Sequence, residues 1–334
     1  MPPLVRRTAT TILVALTAAL VLAGAAAAGY GNGGLTPESS GSPTAHGITR
    51  DYYLIAGITF AIFLLVEGLL IAFIFKYRSR GRARSAEGYQ IHGSTKLELA
   101  WTVAPVVILV AIATFVLATF NNIQDVPSAK AGGAVENITV IGHQFYWEFR
   151  YPNGAFSIDT MYAPVDRTVK LTILAPDSDV IHSWWIPKLD GKIDAIPGRV
   201  NATWFRAPET GTYPGQCAEL CGSQHALMKA QVVVQTQQGY AAQTAQLLAQ
   251  LNGGSKQLGE QMFKGVCEKC HRLSGKTYIG PALGGNPLLA DQKQLTDIVH
   301  NGRRTMPAVG AGWSDKQIAA LTAYTKTVAT GGAG

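Results

Sequence analysis

Two groups of sulfur-containing and histidine side chains could do chemistry in this sequence, and the first lies around residue 220. Cys217 and Cys221 are followed by His225 and Met228, and a further histidine, His182, lies upstream. Thiolates, imidazoles and thioethers favour copper over magnesium, calcium or manganese. Two cysteines and two histidines would satisfy zinc, whereas a blue-copper site would use only one cysteine. Because two thiolates that bridge two copper ions would leave no ligand unused, the pattern favours a copper electron-transfer site, with zinc as the alternative.

The second group is the segment Cys267-Glu-Lys-Cys270-His271, which has the C-x-x-C-H spacing of a haem-attachment motif. In such a motif the two thiols bond covalently to the porphyrin, and the imidazole ligates the iron. Met306, in a later loop, is predicted to be the second axial ligand, and His300 is the competing candidate. Ligation by His and Met raises the reduction potential, as befits an electron carrier. A dithiol redox pair and half of a zinc site are the alternatives.

The bulk composition limits what else the chain could be. Its 334 residues suffice for two or three domains, and 47% of them are apolar while only 15% are charged. The net charge of +7 does not indicate nucleic-acid binding, because five positive residues lie between Lys76 and Arg84, directly after a hydrophobic run. The four cysteines could form disulfides in an exported protein, but each pair lies beside a histidine at ligand-like spacing.

Residues 51–121 are predicted to form a transmembrane helical hairpin. The apolar runs Tyr52–Phe75 and Leu99–Phe120 each reach the roughly 20 residues that span a bilayer. The basic cluster between them belongs in the cytoplasm, so everything after the second run lies outside. Glu67, within the first run, suggests a partner subunit or a structural hydrogen bond. Glu98, at the cytoplasmic mouth of the second run, is by composition an ordinary interfacial charge.

The segments before the hairpin are predicted to be export signals. Residues 1–28 combine a basic start, a short apolar core and a run of alanines, which is typical of a cleaved signal peptide. A retained membrane helix is the alternative. Residues 29–50, rich in Gly, Ser, Thr and Pro, are predicted to be a flexible exported leader.

Residues 122–236 have the short alternating segments of a β-sandwich or barrel. The alternation between His143 and Tyr151 predicts one strand, and further strands are predicted over Thr168–Ala175, Asn201–Arg206 and Met228–Gln235. The predicted copper ligands then lie on loops, where a rigid β scaffold usually holds a metal site. Residues 237–254 predict a linker made of a short helix and a hinge. Residues 255–334 predict a small helical haem domain with helices over Gln257–Val266, Lys293–Asn301 and Asp315–Val328.

Residues 50–236 resemble subunit II of the haem-copper cytochrome c oxidases, and the C-terminal part resembles a class I cytochrome c fused to it. The likeness depends on the hairpin and on these strings: Glu98-Leu-Ala-Trp-Thr-Val-Ala-Pro105, Gly142-His-Gln-Phe-Tyr-Trp147, His182-Ser-Trp, Asp194-Ala-Ile-Pro-Gly-Arg199 and Gly215-Gln-Cys-Ala-Glu-Leu-Cys-Gly-Ser-Gln-His225. The resemblance implies a multidomain chain: a two-helix transmembrane hairpin, an all-β cupredoxin-like Greek-key domain and an all-α cytochrome c domain.

The resemblance also implies roles for individual residues. The copper site would be a dinuclear copper A centre that Cys217 and Cys221 bridge, with His182 and His225 on one copper each and Met228 as a weak ligand. Glu219 would contribute its backbone carbonyl to copper, and its side chain would bind a magnesium ion shared with subunit I. Glu98 would lie at the mouth of a proton-uptake path.

One position departs from the family pattern. Many members have, after His-Gln, a tryptophan that receives electrons from soluble cytochrome c, whereas this chain has Phe145 there and keeps Trp147. Trp147 and Glu98 are the two residues to which we assign a direct functional part. A tethered haem would remove the need for a soluble donor at Phe145, because a short tether raises the local haem concentration to the mM range.

The sequence therefore predicts subunit II of a proton-pumping terminal oxidase in a bacterial inner membrane, with the copper and haem domains on the periplasmic side. An external cytochrome or quinol-oxidising complex would reduce the haem c. Electrons would then pass through copper to haem in subunit I, where oxygen is reduced, and subunit III would complete the complex. The alternatives are a nitric oxide or nitrous oxide reductase component and a membrane-anchored copper or electron shuttle without a catalytic partner. Glu98 and the hairpin argue against nitrous oxide reductase.

Overall fold

The computed structural model describes residues 36–78, 90, 92–127, 134–274 and 277–330. The predicted signal peptide, the first part of the leader and most of the basic cluster lie outside the described residues. The chain divides into two compact units: His46–Asp125 is one, and the segments before and after it form the other.

The His46–Asp125 unit consists of two long apolar helices. Helix α1 spans Pro43–Tyr77 and helix α2 spans Thr95–Gln124, so α1 begins inside the segment that was predicted to be a flexible leader. By length and composition both could cross a membrane, and their apolar side chains are exposed in this chain. The Thr119 hydroxyl contacts the Asp51 carboxylate at 3.2 Å, which joins the end of α2 to the start of α1.

The larger unit contains a β-sandwich. Its ten strands are β1 Val135–His143, β2 Tyr146–Arg150, β3 Phe156–Ile158, β4 Thr160–Pro164, β5 Thr168–Leu174, β6 His182–Trp184, β7 Ile193–Ala195, β8 Asn201–Phe205, β9 Gly211–Gln216 and β10 Lys229–Gln235. One sheet has the order β3-β2-β1-β5-β8, a second has β4-β10-β9, and β6 pairs with β7. The parallel pairs β1–β5 and β4–β10 join distant segments, as in a Greek-key sandwich. The predicted fold class is confirmed.

The single strand that we predicted between His143 and Tyr151 is wrong. The chain reverses at Gln144 and Phe145, and β1 pairs with β2 in an antiparallel hairpin that places His143 opposite Tyr146. The turn carries no glycine, proline or asparagine, and the aromatic alternation continues through it, so the pattern alone could not show the reversal. Both faces of β2 are buried, because Trp147 and Phe149 lie in the sandwich core while Tyr146 packs elsewhere.

The segment after β10 is a longer helix than the sequence suggested. Helix α3 spans Gln237–Asn252, and Tyr240 and Leu247 from it are buried in the sandwich core. The Tyr240 hydroxyl also contacts the Glu136 carboxylate at 2.9 Å. The connection between the two domains is thus packed along most of its length.

The C-terminal domain is helical around its own core. Its helices are α4 Lys256–Met262, α5 Gln292–Asn301 and α6 Asp315–Ala329, with a π-helical turn over Phe263–Cys267 and a 3-10 turn over Pro287–Ala290. Helix α6 begins with a capping box in which Ser314 and Gln317 satisfy each other's free backbone amides. The π turn leads directly into the C-x-x-C-H motif, so the fold presents the motif at a helix end.

Candidate metal centres

Backbone pairing brings the sulfur-rich loop next to His182. The Ala218 amide donates to the Ser183 carbonyl at 2.9 Å, which joins the start of the loop to strand β6. The Cys217 amide donates to the Met228 carbonyl at 2.9 Å, which closes the loop between β9 and β10. Residues that are far apart in sequence therefore share one end of the sandwich.

The predicted copper ligands form one cluster. The Cys217 Sγ and Cys221 Sγ atoms are 3.9 Å apart, and Cys221 Sγ is 3.6 Å from His225 Nδ1 and 3.8 Å from Met228 Sδ. A ring nitrogen of His182 lies within 4.8 Å of both sulfurs. Both cysteines are free thiols, and four of the five side chains are buried, with His225 partly exposed. The set of soft donors fits copper, and its compactness allows two thiolates to serve the same ions.

The electrostatics of the cluster favour a metal-binding thiolate. The hydrogen bond from Cys221, followed by the contact with His182, lowers the pKa of Cys217 to about 3. The same shared hydrogen bond, together with burial, raises the pKa of Cys221 well above its usual range. Burial alone would lower the pKa of His182, but the hydrogen bond to Asp179 and the nearby Cys217 thiol outweigh it and raise that pKa. One thiol thus loses its proton readily, and the thiolate is the form that binds metal.

Asp179 orients His182, and the sequence analysis missed this role. Its Oδ1 atom lies 3.1 Å from His182 Nε2. His182 Nδ1 is buried and has no hydrogen-bond partner among the described residues. A histidine that gives one nitrogen to a carboxylate and keeps the other free has the arrangement of a metal ligand. An aspartate three positions before the histidine was the only signal in the sequence.

Trp147 supports the same histidine from the core. Its ring is fully buried, with its centroid 6.1 Å from that of His182 and 5.3 Å from that of Trp184, both in edge-on arrangements. The Trp184 indole nitrogen donates to Asp190 at 2.9 Å. Trp147 therefore contacts the copper cluster through His182.

The buried Asp190 beside the copper cluster makes the folding stability of the β-domain depend on pH. Burial raises the pKa of Asp190 from 3.8 to about 7, although it accepts hydrogen bonds from Trp184 and the Ile186 amide. Between these values the folded state binds one more proton than the unfolded state, so stability falls as the pH rises from about 4 to 7. The contribution is at most about 4 kcal/mol.

We expect Asp190→Asn to remove that slope while keeping an acceptor for the Trp184 indole. The measurement is the denaturant midpoint of the β-domain, followed by near-ultraviolet circular dichroism at pH 5 and pH 8. The exposed Asp177→Asn is the matched control and should retain the wild-type slope. Equal slopes in wild type and Asp190→Asn would contradict the prediction.

The second centre is a cavity of about 460 Å³ in the helical domain. Cys267, Cys270, His271 and Met306 all line it, and most of the remaining wall is apolar, including Phe263, Val266, Leu289, Leu295, Val299 and Leu321. His300 does not line it, and its Nε2 atom is buried without a hydrogen-bond partner among the described residues. The residues present fit a covalently attached haem.

The predicted axial histidine is held in one orientation. His271 Nδ1 lies 2.8 Å from the Pro281 carbonyl, so this nitrogen donates its proton and Nε2 is left free to act as a ligand atom. A Cβ atom on Gly280 would overlap the His271 ring, so the glycine allows the chain to pass closely beside the imidazole. Met306 is held by paired backbone hydrogen bonds with Arg303, at 3.0 and 3.1 Å. The two predicted axial ligands therefore come from two tight loops.

Gln144 and Phe145 contact both centres. The Gln144 side-chain amide donates to the Cys221 carbonyl at 2.7 Å. The Phe145 ring packs on Gly222, where φ is +130° and a Cβ would lie 2.9 Å from Phe145 Cε1. Both residues also line the haem cavity. The turn that was predicted to lie in mid-strand thus contacts the sulfur-rich loop on one side and lines the cavity on the other.

The predicted carboxylates lie apart from these clusters. The Glu219 carbonyl accepts from Cys217 Sγ at 3.3 Å, while its half-exposed side chain pairs with Lys192 Nζ at 3.4 Å. Lys192 also lies 3.7 Å from Asp194, so any cation at Glu219 would have to displace the lysine. Glu98 lies in the first turn of α2, where its side chain accepts from the Ser94 amide at 3.3 Å. Glu67 is exposed along α1.

Three family models match the chain. They are described as cytochrome c oxidase subunit II, transmembrane domain, over residues 31–119; cytochrome c oxidase subunit II, periplasmic domain, over residues 156–236; and cytochrome c oxidase, cbb3-type, subunit III, over residues 254–324. Together they match part of each of the two units.

Similar proteins bear the name cytochrome c oxidase subunit 2. The protein from Alkalihalophilus pseudofirmus is 36% identical over 236 residues, which cover 69% of this chain and 66% of that protein. The protein from Cereibacter sphaeroides is 31% identical over 265 residues, which cover 68% of this chain and 83% of that protein. This chain thus spans about two thirds of the first relative's length.

Solved structures match only parts of the chain. The periplasmic domain of subunit II of cytochrome oxidase from Bradyrhizobium japonicum is 32% identical, with a TM-score of 0.34, and covers 37% of this chain and 98% of that chain. A chain of a heme-copper terminal oxidase dimer is 22% identical, with a TM-score of 0.33, and covers 42% of this chain and 99% of that chain. The family membership of this chain therefore rests on the sequence matches and not on these structural scores.

Proposed function

The chain belongs to the subunit II family of cytochrome c oxidase, an oxidoreductase component, and on this premise we propose that it relays electrons from a covalent haem c to a dinuclear copper A centre and on towards subunit I. The observation that carries the proposal is the position of Gln144 and Phe145, which contact the copper cluster and line the haem cavity. The donor and acceptor sites lie on one polypeptide and are separated by one turn. This proximity favours direct electron transfer between them.

For the copper centre, the proposed ligands are the cluster described above: Cys217 and Cys221 as bridges, His182 and His225 as end ligands, Met228 as a weak ligand and the Glu219 carbonyl. When bound, such a pair of ions accepts and passes on one electron with little change in geometry. The chain's own contribution is rigidity, because Asp179 fixes the His182 ring and the β6, β9 and β10 strands fix the loop.

For the haem, Cys267 and Cys270 would supply the covalent attachment and His271 and Met306 the axial ligands. The Pro281 carbonyl holds the His271 tautomer, and most of the cavity wall is apolar. A thioether ligand and a largely apolar wall both favour the reduced iron, and therefore a relatively high reduction potential.

The proposed setting is a bacterial inner membrane, with α1 and α2 in the bilayer and both redox domains on the periplasmic side. Subunits I and III would be the partners, an external cytochrome or quinol-oxidising complex the donor, and oxygen reduction with proton pumping the reaction of the whole complex. The Glu219 carboxylate would face a magnesium ion shared with subunit I if the Lys192 pairing is released on assembly.

The test is metal, haem and optical analysis of the purified membrane complex. We expect two coppers and one haem c per chain in addition to the metals of subunit I, together with a high-spin haem that reacts with oxygen. A chain that purifies alone in full yield, without a high-spin haem, would overturn the oxidase proposal in favour of an electron shuttle.

We expect Glu98→Gln to slow steady-state oxygen consumption several-fold without changing copper reduction by the haem. The reason is that an amide cannot take up and release protons at the cytoplasmic end of α2. Glu209→Gln, an exposed carboxylate of the β-domain, is the control and should turn over normally. Wild-type turnover in Glu98→Gln would remove the proton role from this residue.

A further inference from the structure

The helical domain packs directly on one edge of the β-sandwich. Tyr146 of β2 and Phe156 of β3 are buried, and both belong to the hydrophobic core of the helical domain rather than to the sandwich core. The Tyr146 hydroxyl donates to the Val309 carbonyl at 2.5 Å, and its ring lies 6.2 Å from that of Trp313. Strand β3 is an edge strand, so this packing also covers a sheet edge.

Among the described residues, one ion pair crosses this contact, and it starts inside the predicted haem-attachment motif. Lys269, between the two cysteines of the motif, places its ammonium against the Asp159 carboxylate and donates to the Phe145 carbonyl at 2.8 Å. The Lys269 and Asp159 side chains are only 12% and 24% exposed. A pair this sheltered is screened less by salt than a surface pair, and removing one partner leaves a poorly solvated charge.

The Asp159 carboxylate is held in position by contacts other than the one to Lys269. It has a φ of +56°, and its Oδ1 atom accepts the Trp147 amide at 2.9 Å. The other oxygen, Oδ2, is then left to face Lys269. Since the carboxylate is already fixed by the backbone of β2, little additional order is lost when the ion pair forms.

We propose that Lys269 is a positioning residue that latches the haem domain onto the copper domain and holds the haem edge against Gln144 and Phe145. The latch deepens the proposed electron relay and rests on it. The tether provides proximity, since a short linker gives a high local concentration. The latch provides orientation, because electron transfer slows steeply as the two centres move apart. The Lys269 ammonium also binds the Phe145 carbonyl, and the Phe145 side chain is only 9% exposed, so the contact lies beside a buried aromatic ring.

The test uses the purified full oxidase complex with Lys269→Gln, Asp159→Asn and the double variant. Asp159→Asn keeps an acceptor for the Trp147 amide, and asparagine tolerates the positive φ. This variant therefore removes the negative charge without disturbing the local backbone conformation. Lys264→Gln is the matched control, because Lys264 pairs with Glu260 inside the haem domain, 2.7 Å away on the exposed face. The haem and copper contents of each variant are measured first.

Two readouts decide the outcome. The first is amide hydrogen exchange in residues 156–160 and 307–313, which line the contact. The second is the rate of haem-to-copper electron transfer after rapid photoreduction of the haem. We expect each single variant to exchange faster in both segments and to transfer electrons about three- to tenfold more slowly, with the double variant little worse than either single one. Lys264→Gln should match wild type in both.

Unchanged exchange and unchanged transfer in both single variants would overturn the latch, as would fully additive effects in the double variant. If Lys269→Gln lowers haem attachment, Asp159→Asn decides alone, since it lies outside the haem domain. The proposed relay fails differently: wild type would then show no haem-to-copper transfer, while the exchange measurement would still decide whether Lys269 holds the domains together.

Discussion

Replacing Cys217 with serine should abolish the mixed-valence copper signal in electron paramagnetic resonance and leave the haem c spectrum intact. Serine is nearly isosteric, so residue 217, which is buried, should keep its backbone pairing to Met228. A hydroxyl, however, is a poor ligand for copper and does not ionise near neutral pH, and Cys221 alone cannot complete the bridge. The loss of copper affinity should exceed the roughly 10- to 100-fold that is usual when a residue that only orients a ligand is changed.

The reciprocal variant provides the control for this experiment. Cys270→Ser should reduce covalent haem attachment while the copper signal stays as in wild type, because Cys270 lies in the other cluster. Oxygen consumption with an external donor should fall steeply in both variants, for different reasons that the two spectra separate. A normal copper signal in Cys217→Ser would refute the assignment of this thiol, and loss of both signals would indicate misfolding.

Replacing Met306 with alanine should leave the haem attached and abolish the far-red sulfur-to-iron absorption band. In the proposed arrangement attachment would depend on Cys267 and Cys270, whereas the band requires a thioether on the iron. The loop should survive, since the hydrogen bonds to Arg303 use only backbone atoms. Loss of the Met ligand should also lower the reduction potential, so the haem should accept electrons less readily from an external donor.

His300 supplies the matched control, because it was the competing ligand. It does not line the cavity, so His300→Gln should keep the far-red band and the wild-type potential. A redox titration of each purified complex, followed in the haem c absorption, measures both properties. Survival of the band in Met306→Ala would mean that another residue ligates the iron.

The candidate metal and haem ligands could be predicted from the sequence because most members of each cluster lie within a few residues of one another. Cys217 to Met228 and Cys267 to His271 are short strings, and the identities and spacing of their ligands limit the candidate metals and cofactors. The two helices able to span a membrane could be predicted for the same reason, because crossing a bilayer requires a continuous apolar run. The family resemblance is confirmed by the three family models.

The chain reversal at Gln144 and Phe145, between β1 and β2, could not be predicted from the sequence. Alternating aromatic residues continue through it, and the buried outer face of β2 results from a domain that begins about a hundred residues later. The role of Asp179 was missed because only folding brings its carboxylate to His182. Likewise, nothing in the string Cys267-Glu-Lys-Cys270-His271 says that the lysine points at Asp159, 110 positions away.

The sequence by itself determined which candidate ligands the chain carries, that they form two candidate redox motifs, and that it has two runs able to span a membrane, because these properties depend on residue type and local spacing. Only the tertiary structure decided that the sulfur-rich loop and the cavity of the helical domain both adjoin Gln144 and Phe145, and that Lys269, Asp159 and Tyr146 make contacts between the domains. The physical reason is that packing and ion pairing between domains depend on distances in space, which a linear pattern of residues does not encode.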